Sequence, residues 1–549
     1  MGSDKSSSLS RSEGGVYDVV QAEIRINNQP ESNGNVVSND LYPMNGHSTL
    51  DSRDGSDSSK RRLSPNEKSY FLAREILMTE RTYKKDLDIL NTWFQDELPP
   101  ENVESLQPLF QLIESMTQHH GVFLRDLEHR ILLWENRNMT ENHHIGDIML
   151  KSMVVLPVYE EYLESHREFL ERLNDLYETD EPFQQIYREF EQQKICYVPI
   201  GTLVLKPLHR LLHYQLILEK LLEFYPEDHP CHADCQGALV MISRTTENVR
   251  QILEDSENFQ LLCELQRDLG GFALLANNSR VFIRQGCLLK HSKRGLQQRI
   301  FFLFSDVLLY GSKSPATQQF KMLGHVALRS LITENAEHNA FIIYGGQKAI
   351  TVSAGTTAEK TLWLAELSKA SAEIKSKPHV QLNLGTLKNC SSSEEGLDTC
   401  AQSNKSPTGS TASAVRSNNA IHVCWHRGAT VSLRDFIVSS ENQLSGYLLR
   451  KFKNSSGWQK LWVVFTSFCL FFYKNYQDEF ALASLPLLGY SVGPPSFQDT
   501  IQKEFVFKLS FKNHVYFFRA DSEHTYNRWM EVLRSTTQTQ EFKNTRGTH

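Results

Sequence analysis

The spacing of large apolar residues changes character at Gly286, and that change sets the architecture: helices before it, strands after it. From Tyr70 to about Arg267 the spacing is helical. Ile76, Tyr83, Leu87, Leu90 and Phe94 recur at gaps of seven, four, three and four residues, and runs such as Leu211-Leu212 show no strand-like alternation. An elongated all-helical bundle is expected there. Beyond Gly286 come β-branched and aromatic runs of strand length, Ile300-Phe301-Phe302-Leu303-Phe304 and Val307-Leu308-Leu309-Tyr310, broken at Ser305-Asp306. A helix at about Thr357 to Lys375, with Trp363, Leu364 and Leu367 on one stripe, is suited to plugging the open end of a small barrel.

This β pattern occurs twice. Ser445-Gly446-Tyr447-Leu448-Leu449-Arg450 echoes Gln285-Gly286-Cys287-Leu288-Leu289-Lys290, and Val463-Val464-Phe465 with Leu470-Phe471-Phe472-Tyr473 echoes the hairpin. Trp529 lies 83 residues past Gly446, much as Trp363 lies 77 past Gly286, so two copies of one fold are the economical reading. Between them, residues 377–440 are rich in Ser, Asn and Thr and read as a flexible linker, which as a free coil would span about 45 Å. Residues 1–65 hold too few large apolar residues to offset the entropy of ordering and read as a disordered leader; 539–549 read as a disordered tail.

Composition narrows the function. The 549 residues, 40% hydrophobic and 22% charged, are those of an ordinary globular protein of several domains. A formal net charge of -7 argues against a chain whose main task is coating nucleic acid. Nine scattered cysteines contain no C-x-x-C pair and no His spacing that completes a zinc site, so free thiols and no metal are expected. The absence of a spanning apolar run and of a signal-peptide core points to a cytoplasmic protein. Neither a G-x-S-x-G, a P-loop nor a metal-ligand cluster supports a hydrolase. Met1-Gly2-Ser3-Asp4-Lys5-Ser6 fits the loose myristoylation pattern, though so short a pattern arises easily. Ser64, behind Lys60-Arg61-Arg62, is a place where a phosphate would add charge, a solvated charge run being the plainer reading.

Two segments carry a resemblance. Arg74-Glu75-Ile76-Leu77-Met78-Thr79-Glu80-Arg81-Thr82-Tyr83 resembles the opening helix of the Dbl-homology (DH) domain, and Leu205-Lys206-Pro207-Leu208-His209-Arg210-Leu211-Leu212-His213-Tyr214-Gln215-Leu216-Ile217-Leu218 resembles its longest motif. Both β units, with a Gly-x-Leu-x-basic opening strand and a closing helix bearing a Trp, resemble pleckstrin-homology (PH) domains. The order DH, PH, Ser-rich linker, PH is similar to that of the FERM, RhoGEF and pleckstrin domain proteins, the FARP group. No segment here corresponds to their FERM domain, leaving a truncated form, a fragment or a divergent relative as alternatives. The resemblance implies a DH domain over 66–275, PH domains over 284–376 and 443–538, each a seven-stranded barrel capped by a C-terminal helix, and a guanine nucleotide exchange factor for Rho-family, Rac-class GTPases that needs no cofactor and makes no covalent bond. Such a factor must bind nucleotide-free GTPase better than the loaded form, competing with nucleotide affinities of about 12 kcal/mol or more.

The resemblance also assigns residues. Glu75 takes the place of the family's carboxylate that engages switch I; it shares a face with Thr79 and Thr82, opposite Ile76, Tyr83 and Leu87, and is free to reach a partner. Lys206 matches the switch II lysine, with Arg210 and His213 on the same stripe beside the buried Leu208, Leu211, Leu212, Leu218 and Leu222. Ser243 falls where the family has an Asn, His209 where it usually has Gln, and Asn248 is a candidate compensating amide; these departures keep open a second reading, a catalytically weak membrane scaffold. Glu80, four residues before Lys84, reads as an intrahelical pair. In the β units Lys290, Lys293, Arg294 and Arg299, and Arg450, Lys451 and Lys453, are the candidate phosphoinositide contacts, but Gln297, Gln459 and Leu461 occupy basic places of the motif. Weak attraction to anionic membrane, with recruitment of a cytoplasmic monomer to the plasma membrane, is one expectation; PH domains folded back on the DH surface as autoinhibitors are the other.

Overall fold

The computed structural model describes residues 64–136, 143–269, 273–277, 279–314, 319–346, 348–377, 418–451 and 457–537. Gly2, the Lys60–Arg62 cluster, Lys453 and the terminal tail lie outside them.

Ser64 starts the helical unit. Its hydroxyl accepts from the Glu67 amide while Glu67 reaches back to the Ser64 amide, a reciprocal cap with Pro65 at the first helical position. The helix α1 (Pro65–Asp88) runs on through a π-helical turn, Ile89–Phe94, in which Ile89, Leu90 and Phe94 are buried. There follow α2 (Pro100–Ser105), α3 (Gln107–Asn136), α4 (Gly146–Ser152), α5 (Leu156–Thr179), α6 (Glu181–Gln192), α7 (Ile200–Leu222), α8 (Pro230–Thr245) and α9 (Val249–Leu269). Helix α7 is the central staff: it packs on α1, α5, α8 and α9 and buries most of its length despite Pro207. Among the described residues no helix is long and apolar enough to cross a membrane.

Strands β1 (Phe282–Ser292), β2 (Gly295–Phe304), β3 (Val307–Lys313), β4 (Phe320–Ala327), β5 (Leu331–Asn335), β6 (Ala340–Gly345) and β7 (Lys348–Ser353) form one antiparallel sheet in the order β4-β3-β2-β1-β7-β6-β5, followed by α10 (Thr357–Ser376). After α11 (Ala420–Arg427), β8 (Thr430–Ser432) and α12 (Leu433–Glu441), a second sheet repeats the same order with β9 (Leu444–Lys451), β10 (Trp458–Thr466), β11 (Cys469–Tyr473), β12 (Ala483–Pro486), β13 (Ser491–Gly493), β14 (Val506–Phe511) and β15 (His514–Arg519), closed by α13 (Glu523–Thr537). Trp363 and Trp529 are fully covered, each in the core beneath its own helix. Among the described residues, the pairing path of both sheets runs open from end to end rather than joining its edge strands into a ring.

The uninterrupted apolar runs follow from burial on both faces. In the first sheet Phe301 and Leu303 face Trp363, whereas Ile300, Phe302 and Phe304 pack against Leu261, Leu265 and Leu269 of α9 and against Ile421 and Ile437 of the linker helices. In the second, Val463, Phe465, Leu470 and Phe472 line its own core, while Trp462, Val464, Phe471 and Tyr473 join the core of the helical unit.

The flexible linker expected over 377–440 is corrected for residues 418–440. Asn419 caps α11, Ile421, Val423 and Cys424 are buried, and β8 adds an antiparallel strand to β1 with Thr430 opposite Gly286. Polar composition concealed a short apolar seam: Val431, Leu433 and Ile437 recur on the docked side.

Candidate functional site: a helical face covered by the second sheet unit

The residues that sequence resemblance singled out lie on α1 and α7, which cross with Glu75, Thr79 and Thr82 turned toward the same side as Lys206 and His213. Thr79, Lys206, His209, Arg210 and His213 line one crevice, and Ser440, Glu441 and Gln443, from the end of α12 and the turn after it, close its mouth.

Glu75 is not free, as expected from its place on the helix, but held. The Arg528 guanidinium on α13 donates to both carboxylate oxygens at 3.0 and 3.1 Å, and His213 lies 3.7 Å away. Burial pushes this carboxyl up, yet Arg528 and His213 together outweigh it and hold it at about 2. His213 is pushed down to about 4 by burial and by the Arg210 charge, despite Glu75. Lys206, 2% exposed, donates to Thr466 Oγ1 at 2.8 Å and Gln443 Oε1 at 3.0 Å; burial lowers it, opposed by Asp86 and Glu257. Further contacts seal the same face. Thr82 and Ser445 share a hydroxyl hydrogen bond of 2.6 Å, Lys85 donates to the Asp478 carbonyl at 2.8 Å, Arg81 stacks on Tyr476, Arg74 pairs with Asp521, and Phe71 stacks on His524. The second sheet unit therefore covers α1 from Phe71 to Lys85.

Other expected site residues are placed differently. Arg210 is spent inside the bundle, donating to Thr79 Oγ1 at 2.8 Å and Glu80 at 2.6 Å. Glu80 does not pair with Lys84: it is fully buried among Arg210, His120 and Tyr214, and Lys84 pairs with Asp88. Its carboxylate side chain reaches across the bundle because α3 and α7 offer charged and hydroxyl donors that a solvent-side lysine cannot match in strength. His209 is committed to Glu257 of α9 at 2.7 Å. Ser243 is half-buried near the end of α8, Asn248 is exposed in the turn before α9, and Leu222 is only partly buried.

Lys290 lies over Tyr310 and Arg299 donates to Gln297, while Lys293 and Arg294 are exposed at the β1–β2 turn. Arg450 lies over Tyr516 and Phe472, and Lys451 ends β9 half-buried. Among the described residues no His, Cys, Asp and Glu group has metal-site geometry.

Sequence reasoning missed Arg528, Thr466, Gln443, Tyr476 and Asp521. One signal was available: strands β10 and β11 lack the alternation of a sheet with a wet face, so something had to cover the second side.

A RhoGEF domain family profile matches residues 72–250, and a PH domain profile matches residues 442–538. The chain is 44% identical over 501 residues to the mouse FERM, ARHGEF and pleckstrin domain-containing protein 2, covering 88% of this chain and 47% of that protein, and 43% identical to the chicken FERM, ARHGEF and pleckstrin domain-containing protein 1, covering 87% and 48%. A crystal structure of the DH domain of FARP2 is 38% identical, covers 37% of this chain and 97% of its own, and superposes with a TM-score of 0.34. The chain spans about half the length of the curated relatives it matches. Residues 72–250 are thus a RhoGEF, or DH, domain and residues 442–538 a PH domain, and the chain belongs with the FERM, ARHGEF and pleckstrin domain-containing proteins as a homologue of their RhoGEF and PH portion.

Proposed function

We propose that this chain is a guanine nucleotide exchange factor for Rho-family small GTPases of the Rac class, held inactive by its own PH domain and linker. The observation that carries the reading is the double capture of Glu75 by Arg528 and of Lys206 by Thr466 and Gln443. These two charged groups, from α1 and α7, are the ones the DH resemblance assigns to switch I and switch II. A GTPase cannot reach them while β9–β11 and α13 sit there. Exchange then proceeds without a covalent step: the freed carboxylate and ammonium engage the switch loops, and nucleotide contacts are lost in favour of protein contacts.

We assign residues 284–376 as a further PH domain on the strength of its strand order, which is that of the matched PH domain. With Gln297, Gln459 and Leu461 at basic places of the phosphate motif, its part and that of residues 443–538 is regulation first and weak attraction to anionic membrane second, consistent with a cytoplasmic protein recruited to the plasma membrane. The scaffold reading draws on His209, which its hydrogen bond to Glu257 withdraws from any partner.

The test is release of a fluorescent GDP analogue from a panel of purified Rho-family GTPases. Residues 65–275 should accelerate release strongly, the full chain weakly, and Glu75→Ala or Lys206→Ala in the short fragment should abolish it. Absence of release by residues 65–275 from every GTPase would refute exchange activity; equal rates for fragment and full chain would refute the inhibition.

A further inference from the structure

At the start of α8 two thiols meet. Cys231 stands in the first turn of α8 and Cys235 one turn later, both completely buried, with their sulfurs 3.5 Å apart and one thiol donating to the other. Ideal helix geometry puts Cα atoms four residues apart at about 6.2 Å, within the span of about 4.4–6.8 Å found in disulfides, but their Cβ atoms at about 5–6 Å must close to about 3.5–4.5 Å, so forming the bond requires the first turn of α8 to loosen. The backbone makes room for one sulfur in particular: a Cβ on Gly146 would come within 2.6 Å of Cys231 Sγ and 3.0 Å of its carbonyl oxygen. The Gly146 amide instead faces the sulfur, and so does the His144 imidazole. That histidine is fixed in turn, since Arg130 binds its carbonyl oxygen and clamps Asp147 at 2.7 and 2.9 Å, with Asp147 3.5 Å from His144 Nδ1. The His144 side chain is 23% exposed, which places solvent one side chain away from the sulfur.

We propose that Cys231 and Cys235 are a peroxide-sensitive dithiol, Cys231 being the attacking sulfur and Cys235 the resolving one. In the first step the Cys231 thiolate attacks one oxygen of hydrogen peroxide; the O–O bond breaks and hydroxide leaves as water, giving a sulfenic acid. Cys235 sulfur then attacks Cys231 Sγ, the S–O bond breaks, and a second water leaves. Two thiols lose two electrons and the peroxide gains them; an external thiol reductant reverses the bond.

The division of labour follows from the surroundings. The Cys235 thiol, the Gly146 amide and His144 favour the charged form of Cys231 and hold its thiol down at about 5 against burial, and His144 is raised by the same pairing. Cys235 is pushed far up, because Cys231 takes its proton as a hydrogen bond, burial disfavours its anion, and Asp234 and Asp147 add like charge. Burial pushes Cys263, Cys287 and Cys469 up to about 12, outweighing hydrogen bonds such as that from Gln298 to Cys287, and Cys424 also rises by burial, so four other thiols serve as internal controls.

The test uses the full chain, reduced, exposed to hydrogen peroxide, quenched by alkylation and mapped by mass spectrometry. The peptide holding both cysteines should lose two hydrogens at least about tenfold faster than Cys263, Cys287, Cys424 or Cys469 oxidise, and dithiothreitol should restore it. In Cys235→Ser the reaction should stop at a Cys231 sulfenic acid that dimedone captures, and His144→Gln should slow it, with thermal unfolding checked for each variant. Oxidation of Cys231 no faster than of the control thiols, or a dimedone adduct missing from a folded Cys235→Ser variant, would overturn the proposal.

Discussion

Replacing Arg528 by Ala isolates the contact on which closure turns. Arg528 is well buried against the helical unit and donates twice to Glu75, whose own side chain is 7% exposed. Removing the guanidinium strands the carboxylate beside a neutral His213, and breaking a buried pair in this way costs about 3–5 kcal/mol. In the open arrangement the same carboxylate is hydrated and the substitution is nearly silent. Taking about 3 kcal/mol, to allow for water entering the gap, the ratio of open to closed molecules rises about a hundredfold. The full-length Arg528→Ala protein should therefore release fluorescent GDP from its GTPase much faster than wild type, up to but not beyond the rate of residues 65–275. Glu75→Gln removes the same pair yet should leave exchange low, because the freed face lacks its carboxylate. If Arg528→Ala releases nucleotide at the wild-type rate while residues 65–275 are fast, the Glu75–Arg528 pair is not what holds the domain closed.

Acidification should also loosen the closed form. His213 is held down to about 4 in place, against about 6.5 when hydrated, so the open state takes up a proton that the closed state refuses and closure weakens as pH falls from 7.5 to 6, by about fourfold. Glu75 has the opposite bookkeeping, its contribution being complete above about pH 4.5 and lost only toward pH 2, so it is silent in that window. Small-angle scattering or an interdomain fluorescence pair reads the change, and His213→Asn should reduce it to what His524, also held down by burial against Phe71, contributes; a flat wild-type profile would contradict the assignment. Gly286→Ala should detach β8, because the new Cβ would meet Thr430 Oγ1 at 2.6 Å and its Cα at 3.0 Å. A loss of about 1–3 kcal/mol is expected, with faster amide exchange at residues 430–432; unchanged exchange there would show that the strand is held by something else.

Much of the architecture was legible because helices and strands announce themselves through local spacing. The gaps from Ile76 to Phe94 gave the first helix, the broken run at Ser305-Asp306 gave a hairpin, and Trp363 and Trp529 marked both closing helices. The linker was misread because composition averages over a segment: Ser432, Ser439 and Ser440 are polar by type yet buried or capping, and the few apolar residues among them are enough to seat two short helices. For the site, Glu75 and Lys206 were found because a motif names them, but their partners Arg528 and Thr466 stand 453 and 260 residues away in sequence, and no periodicity reports a contact at that range. The nearest thing to a warning was the pair of runs Val463-Val464-Phe465 and Leu470-Phe471-Phe472-Tyr473, whose outward residues Val464, Phe471 and Tyr473 made no sense beside water.

Only Asn442 and Gln443 separate the end of α12 from the start of β9, while β8, just before α12, is stitched into the first sheet. The second sheet unit is therefore tethered at the rim of the surface it covers. For such a short tether the local concentration of the domain at its own docking face is on the order of millimolar, so individually modest contacts suffice for near-complete occupancy. Severed from the chain and supplied as a separate polypeptide at micromolar levels, the same domain would lose that advantage of roughly a thousandfold and inhibit poorly, even though every contact atom is still present.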